Sequence, residues 1–311
     1  MTAPGQRILV LKHGALGDLI LAMGAFQAIR RHHPGASIVL LTTPPFEALA
    51  RQSGYFDEVW LDGRPGLGDW RALLALRRRF AEARFARVYD LQTSDRTALY
   101  FRFLMPRPRP EWSGIARGCS HPHLNPARGA LHGLERLAEQ LQAAGIAAVA
   151  APSLDWVAAD IGRFALPENY AVVVPGGAAH RGEKRWPSDN YSQLTAEIAA
   201  RGLTPVIVGG PDERRLAAAI AAGCPEVRDI TGETSLEELV VLARGTRLAV
   251  GNDTGPMHVA AVAGAPSVVL FGAGSDPGRA APRGPNVTVL RRSPLAALTV
   301  AEVLAATCLD E

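Results

Sequence analysis

Lysine is almost missing from this sequence: of 33 basic residues only Lys12 and Lys184 are lysine, and arginine fills every other cationic position. A chain with that bias keeps a lysine where a compact ammonium cannot be exchanged for a planar guanidinium, which makes both candidate site residues. Cysteine is nearly as scarce, with Cys119, Cys224 and Cys308 far apart and odd in number. That excludes a disulfide framework and a cysteine-rich zinc site and fits a reducing compartment. No apolar run reaches the roughly 18 to 20 residues of a membrane span. The opening MTAPGQR lacks the apolar region of a secretory signal, so a cytoplasmic protein is expected. Aromatics make up 6% of the chain and are not interleaved with the arginines of RRRFAEARFAR, Arg77 to Arg87. This stretch reads as an amphipathic helix rather than a nucleic-acid arm, and no nucleic-acid partner is expected. Three motifs are also missing. There is no G-x-G-x-x-G after the first apolar strand, and Leu40-Leu41-Thr42-Thr43 ends the second without a ribose-binding acid. There is no G-x-x-x-x-G-K-[ST] and no D-x-D. These absences argue against a dinucleotide dehydrogenase, a P-loop enzyme and a D-x-D metal site.

What is present is a soluble-type composition, 48% hydrophobic and 20% charged over 311 residues, a length suited to two domains. Residues 1–165 hold 20 Lys+Arg against 14 Asp+Glu, whereas residues 166–311 hold 13 against 16. The basic first half suits an anionic ligand or an acidic membrane face, or is simply a solvated arginine-rich surface. Apolar β runs alternate with helical periodicity in that half: RILVLK, SIVLLT, EVWLD and RVYDLQ, each followed by a helix. The stretch from Met105 to Asn125 is too rich in Pro, Arg and His for an interior and reads as a functional surface loop. A helix from His132 to Ile146 closes the half, and AAVAAPSLDW approaches a linker. The second half repeats the alternation, with Ser188 as the expected N-cap of its first helix. Its strands end in VPGG, VGG, VGND and LFG. Glycine there lets backbone crowd a ligand at the carboxyl edge of a parallel sheet, as in nucleotide-binding domains. The expected architecture is α/β with domains at 1–160 and 161–311, the last helix being free to return to the first.

Two segments carry chemistry. Lys12-His13-Gly14-Ala15-Leu16-Gly17-Asp18 follows the first strand, and Asp18 there is either a helix N-cap or a working carboxylate. GNDTGPMHVAAVAG places Asp253, Thr254 and Gly255 at a strand-to-helix turn whose amides suit a phosphate. His258 faces either the ligand or the strand edge.

K-x-x-x-x-G-D, D-x-Q-x-x-x-R (Asp90, Gln92, Arg96), P-G-G…K-x-W-P (Pro175, Gly176, Gly177, Lys184, Trp186, Pro187), G-G-P-x-E (Gly209, Gly210, Pro211, Glu213) and N-D-T-G-P-x-H, in this order over almost the whole chain, resemble glycosyltransferase family 9, the lipopolysaccharide heptosyltransferases. The resemblance implies a GT-B fold, two Rossmann-like doubly wound parallel-sheet domains facing across a cleft, with the acceptor on the first and the sugar nucleotide on the second. It implies inverting transfer of heptose from ADP-L-glycero-β-D-manno-heptose to a growing lipopolysaccharide core acceptor. The basic first half and the lack of a span place this at the cytoplasmic face of the inner membrane, where lipid-linked acceptors are made, and the lack of D-x-D argues for a site without metal or cofactor. Asp18 stands where the family carries its general base, and Lys184 where it carries the lysine near the donor phosphates. The remaining donor residues implied are Lys12, which would also hold Asp18 ionised, with Gly176, Gly177, His180, Arg181, Gly210, Asp253, Thr254, Gly255, His258 and the ribose-binding Glu213. On the acceptor side they are Gly17, Gln92, Arg96, Arg64 and Arg136. Some members carry hydroxyl residues near Ala179 and His180 to contact phosphate, so His180 or Arg181 substitutes here or the donor differs. Trp112 and Trp186 read as packing residues. A GT-B epimerase and a non-catalytic sugar-nucleotide-binding module stay open as alternatives.

Overall fold

The computed structural model describes residues 5–66, 68–177, 182, 185–307 and 309. The chain divides into two compact units, Met1–Pro152 and Ser153–Glu311.

In the first unit the elements run β1 (Arg7–Leu11), α1 (Leu16–Leu21), α2 (Met23–His32), β2 (Ser37–Thr42), α3 (Glu47–Gln52), β3 (Glu58–Leu61), α4 (Trp70–Ala83), β4 (Arg87–Asp90), α5 (Asp95–Leu99), β5 (Glu111–Gly114), β6 (His121–Pro122) and α6 (Gly133–Ala143). All pairings are parallel, in the order β3-β2-β1-β4-β5-β6. Ile8, Leu9, Val10 and Leu11 are fully buried, as expected of a central parallel strand covered on both faces. Leu9, Leu11, Val39, Val88, Phe80 and Trp112 belong to one core cluster.

The second unit contains β7 (Tyr170–Val174), α7 (Ser188–Ala200), β8 (Thr204–Ile207), α8 (Arg214–Ala221), β9 (Arg228–Asp229), α9 (Leu236–Gly245), β10 (Leu248–Asn252), α10 (Gly255–Val262), β11 (Ser267–Phe271), α11 (Pro277–Ala280), β12 (Val287–Arg291) and α12 (Val300–Ala305). Its sheet is also parallel, in the order β12-β11-β10-β7-β8-β9. Counted from its own first strand, this is the arrangement of the first unit. Each sheet therefore reverses direction once, beside its first strand: between β1 and β4, and between β7 and β10. Open α/β sheets bind ligands outside the carboxyl ends of the strands at such a point.

Three local expectations are corrected. Residues 105–125 are not only a surface loop: β5 and β6 lie within them and complete the sheet, with Trp112 fully buried and its ring 5.1 Å from that of Phe101. Strands of four and two residues are too short to show a period, and proline is tolerated at an edge. Ser188 is the first residue of α7 rather than its cap, the N-cap position belonging to Pro187. An extra edge strand, β12, follows the last strand read from the pattern, its side chains only half buried or exposed. The closing helix α12 packs on α7, and Val300 and Val303 join the core of the second unit.

Candidate active site

Where β1 leaves the first sheet, the chain turns beside the end of β4. Lys12 is 6% exposed and its Nζ donates to Leu91 O at 3.2 Å. Burial lowers the Lys12 pKa, Arg136 lowers it further, and Asp18 and Asp90 act against them. Gly14 has φ +120°, and a Cβ there would stand 2.8 Å from Cε2 of Phe46, so this turn needs glycine. Asp18 is exposed in the first turn of α1. Ala15 occupies the N-cap position and no side chain caps the helix. Asp18 therefore benefits from the helix dipole without acting as the cap, and its carboxylate is open to solvent.

His13, given no role by the sequence, anchors this turn. Its amide donates to Gln92 Oε1 (2.8 Å), its carbonyl accepts from Thr43 Oγ1 (3.0 Å), and its Nε2 lies 3.0 Å from Asp62 Oδ2. Asp62 also accepts from Tyr100 OH (2.6 Å) and from Arg64 N (2.7 Å). Burial pushes the Asp62 carboxyl up, but these partners together hold it below its ordinary value. Tyr100 is pushed up to about 12, by burial first and then by bonding to Asp62.

Lys12, Asp18, Gln92, Thr93, Arg128 and Arg136 line a cavity of about 210 Å³, with Gln140 of α6 among the other lining residues. The start of α6 is fixed by His132 and Glu135, which bond each other's turn: His132 Nδ1 accepts from Leu134 N and Glu135 Oε2 from His132 N. Arg128 is held by Thr93 Oγ1 and His123 Nδ1, both at 3.3 Å, and His123 Nε2 lies 3.0 Å from Glu139 Oε2. Gln140 Nε2 donates to Asp90 O at 2.8 Å. Beneath the turn, the fully buried Asp90 is pushed up to about 6, mainly by desolvation, while its Oδ1 accepts from Thr93 N. Three cations around one exposed carboxylate make a pocket suited to an anionic ligand carrying a hydroxyl.

The sequence candidates of this unit separate. Lys12, Asp18, Gln92 and Arg136 come together, and Gly17 is buried beside Asp18. Arg96 lines a different cavity and donates to Pro65 O and Tyr100 OH. Arg64, at φ +50°, is an exposed turn residue whose backbone serves Asp62. Arg128 and Gln140 escaped the sequence reading, since neither lies in a glycine-marked strand end.

In the second unit the ends of β7, β8 and β10 are bound into one edge. Glu213 Oε1 accepts from Gly177 N (2.7 Å) and Oε2 from Gly210 N (2.9 Å). A Cβ on Gly176 would stand 1.8 Å from Glu213 Oε1, and one on Gly209 2.4 Å from Oε2. These glycines let backbone close around the carboxylate, which keeps lone pairs for a further donor. Buried Asn252 ties the edge from the other side. Its Nδ2 donates to Pro175 O (2.7 Å) and Gly176 O (3.0 Å), and its Oδ1 accepts from Trp186 N (3.1 Å) and Tyr191 OH (3.0 Å). Thr254 occupies the N-cap of α10 in an extended conformation without a side-chain cap bond, so its side chain does not satisfy the helix amides, which suit an anion. Asp253 is half buried in the same turn and His258 is buried in α10. Arg185 donates to Gly177 O. Asn252 and Arg185 were given no role by the sequence, although Asn252 opens N-D-T-G-P-x-H and Arg185 is the variable position of K-x-W-P. Lys184, His180 and Arg181 lie outside the described residues. Trp112 and Trp186 are buried, as packing residues are.

Residues 73–302 match the model of glycosyltransferase family 9 (heptosyltransferase). Lipopolysaccharide heptosyltransferase 3 of Escherichia coli is 36% identical over 110 residues, a match spanning 34% of this chain and 32% of that protein. Lipopolysaccharide heptosyltransferase 3 of Escherichia coli strain K12 is 26% identical over 279 residues, 83% of this chain and 80% of the relative. The solved structure of E. coli heptosyltransferase WaaC with ADP-2-deoxy-2-fluoro heptose superposes with a TM-score of 0.76 at 20% identity, covering 96% of this chain and 98% of that one. The fold is thus the expected GT-B fold.

Proposed function

The chain belongs to glycosyltransferase family 9, and on that premise we propose that it moves a heptose from ADP-L-glycero-β-D-manno-heptose to a hydroxyl of a lipopolysaccharide core acceptor, with inversion. The observation that carries the reading is the pocket at the β1/β4 switch point, where exposed Asp18 stands among Lys12, Arg128 and Arg136. Lys12 and Asp18 precede the residues matched to the family, so their roles rest on this geometry and on the motif order.

In the proposed reaction the acceptor oxygen attacks the anomeric carbon, its proton passes to the Asp18 carboxylate, and the bond from that carbon to the diphosphate oxygen breaks, releasing ADP. The cations around Asp18 hold an anionic acceptor and so orient its hydroxyl. On the second unit the amides at the Thr254–Gly255 turn receive the diphosphate, whose negative charge grows as it leaves, together with Lys184 and Arg185. His180, Arg181 and His258 are proposed around the same phosphates. Glu213, tethered by Gly177 and Gly210, accepts a ribose hydroxyl. The donor is supported by WaaC, a relative in fold solved with an ADP-heptose analogue.

No helix among the described residues is long and apolar enough to cross a membrane. We place the protein in the cytoplasm, in salt-sensitive contact with the anionic inner face of the membrane through its basic first unit.

Incubation with ADP-heptose, with and without a lipopolysaccharide core acceptor, tests the reading. Release of ADP and a heptosylated product only when acceptor is present is expected. An epimerised donor without acceptor, or donor binding with no turnover under any condition, would contradict it in favour of an epimerase or a binding module.

A further inference from the structure

We propose that a second cavity of the first unit takes one acyl chain of an anionic membrane lipid and so seats α4 on the bilayer surface. This rests on the membrane contact proposed above for the source of the chain, and not on the transfer reaction.

The cavity holds about 510 Å³ and is lined by Leu73, Leu99, Tyr100, Phe103, Leu104 and Arg96. That volume lies within the ~300–1,000 Å³ of small-molecule sites, and the lining is apolar apart from one hydroxyl and one cation. Among the described residues Arg96 donates to uncharged oxygens, Pro65 O at 3.0 Å and Tyr100 OH at 3.4 Å, and forms no ion pair. A guanidinium so placed beside a hydrocarbon-lined space suits a lipid phosphate.

The surroundings point the same way. α4 reads WRALLALRRRFAEA, yet of its 14 residues only Phe80 and Ala83 are buried. Leu73 and Leu76 of its first turns are half-buried against the core, but the apolar residues beside them are left uncovered: Trp70 is 63% exposed and Leu74 39%, with Phe103 of the facing wall at 57%. The Arg71 guanidinium lies 5.3 Å from the Trp70 ring, and that of Arg102 5.4 Å from Phe103. Exposed Trp70 of α4 and Phe103 of the facing wall, each paired with a guanidinium, beside further exposed arginines at Arg77 and Arg78, make an interfacial surface rather than a soluble one. Charge complementarity selects an anionic lipid, since residues 1–152 carry 19 Lys+Arg against 12 Asp+Glu. The wall from Tyr100 to Leu104 is a π-helix, closed by Met105 N on Tyr100 O at 3.0 Å, a rare form concentrated at functional sites. None of these lining residues belongs to the Asp18 pocket.

The test uses the whole chain with two probes: dodecyl phosphate below its micellar concentration, followed by calorimetry, and flotation with vesicles of phosphatidylglycerol and phosphatidylcholine. Dodecyl phosphate is expected to bind once per chain, at least tenfold more tightly than an uncharged dodecyl glucoside. Leu73→Trp, which fills the cavity, and Phe103→Ser, which removes an exposed wall, are each expected to weaken it at least tenfold and to reduce flotation. Both variants should keep the wild-type circular dichroism and transfer to a water-soluble acceptor. No binding of dodecyl phosphate to the wild type, or equal binding by wild type and a folded Phe103→Ser, overturns the inference. Flotation that both variants retain while high salt abolishes it also overturns the acyl site, yet leaves the membrane contact standing. Dodecyl phosphate binding by a wild type that never floats refutes the bilayer as the source of the chain.

Discussion

Asp90 shows how one residue links the sheet to the pocket. It ends β4, opposite Leu11 in the register, and it is fully buried next to Lys12. Below its ordinary value of 3.8 the carboxyl is protonated in folded and unfolded chains alike and costs nothing. As pH rises from 3.8 towards about 6 the unfolded chain releases the proton and the folded chain retains it, so stability falls. Over that gap the loss is about 3 kcal/mol at 1.36 kcal/mol per unit. Asp90→Asn, which still accepts from Thr93 N, is therefore expected to unfold at higher denaturant than wild type at pH 7.5 and to converge with it near pH 4. An unchanged difference at the two pH values would count against a buried, reluctantly ionised Asp90. Gly176 allows a second prediction at this scale. A methyl group there would collide with Glu213 Oε1 and displace the carboxylate that holds Gly177 and Gly210. Gly176→Ala is expected to weaken ADP binding by at least tenfold, measured by calorimetry, and wild-type affinity would exclude Glu213 from the donor site. Asp18, Lys12 and the glycines could be read from the sequence because they stand at strand ends with a distinctive spacing. Arg128 and Gln140 could not, because what makes them site residues is the return of the chain around α6 to the end of β4, where Arg128 meets Thr93 35 positions away and Gln140 meets Asp90 50 positions away.

The long central strands were legible as elements because burial on both faces leaves continuous apolar runs such as ILVL and AVVV. Edge strands carry no such mark. At the edge of the first sheet β6 pairs only His121 and Pro122 with β5, and at the edge of the second β9 pairs only Arg228 and Asp229 with β8. Polar composition that reads as a loop is what a strand open to solvent on one side tolerates. The loops at the carboxyl edge of the second sheet depend on Asn252, whose amide bridges the ends of β7 and β10 to the start of α7 through four hydrogen bonds. Asn252→Ala leaves two donors and two acceptors to find new partners. Since a buried unsatisfied group costs about 1–3 kcal/mol, a destabilisation above about 3 kcal/mol is expected in chemical denaturation, with weakened ADP binding. A variant within about 1 kcal/mol of wild type would mean that water restores those bonds.

At the scale of the whole molecule, the same strand order occurs twice, and we propose that each copy carries a different task at the same topological position. The first unit, with a surplus of basic residues, gathers Lys12, Arg128 and Arg136 around Asp18; the second, with a surplus of acidic ones, offers glycine turns and the N-terminal amides of α10. This division of labour is the central claim, since it assigns proton transfer to one unit and donor binding to the other. Its most direct test is to measure ADP-heptose affinity and turnover side by side for wild type and Asp18→Asn. The substitution preserves size while removing the proton acceptor. The account predicts turnover reduced by about 10²-fold to 10⁴-fold, the usual range for a general base, with donor affinity and melting temperature unchanged. Near-normal turnover, or a loss that follows donor affinity or stability instead of chemistry, would contradict it.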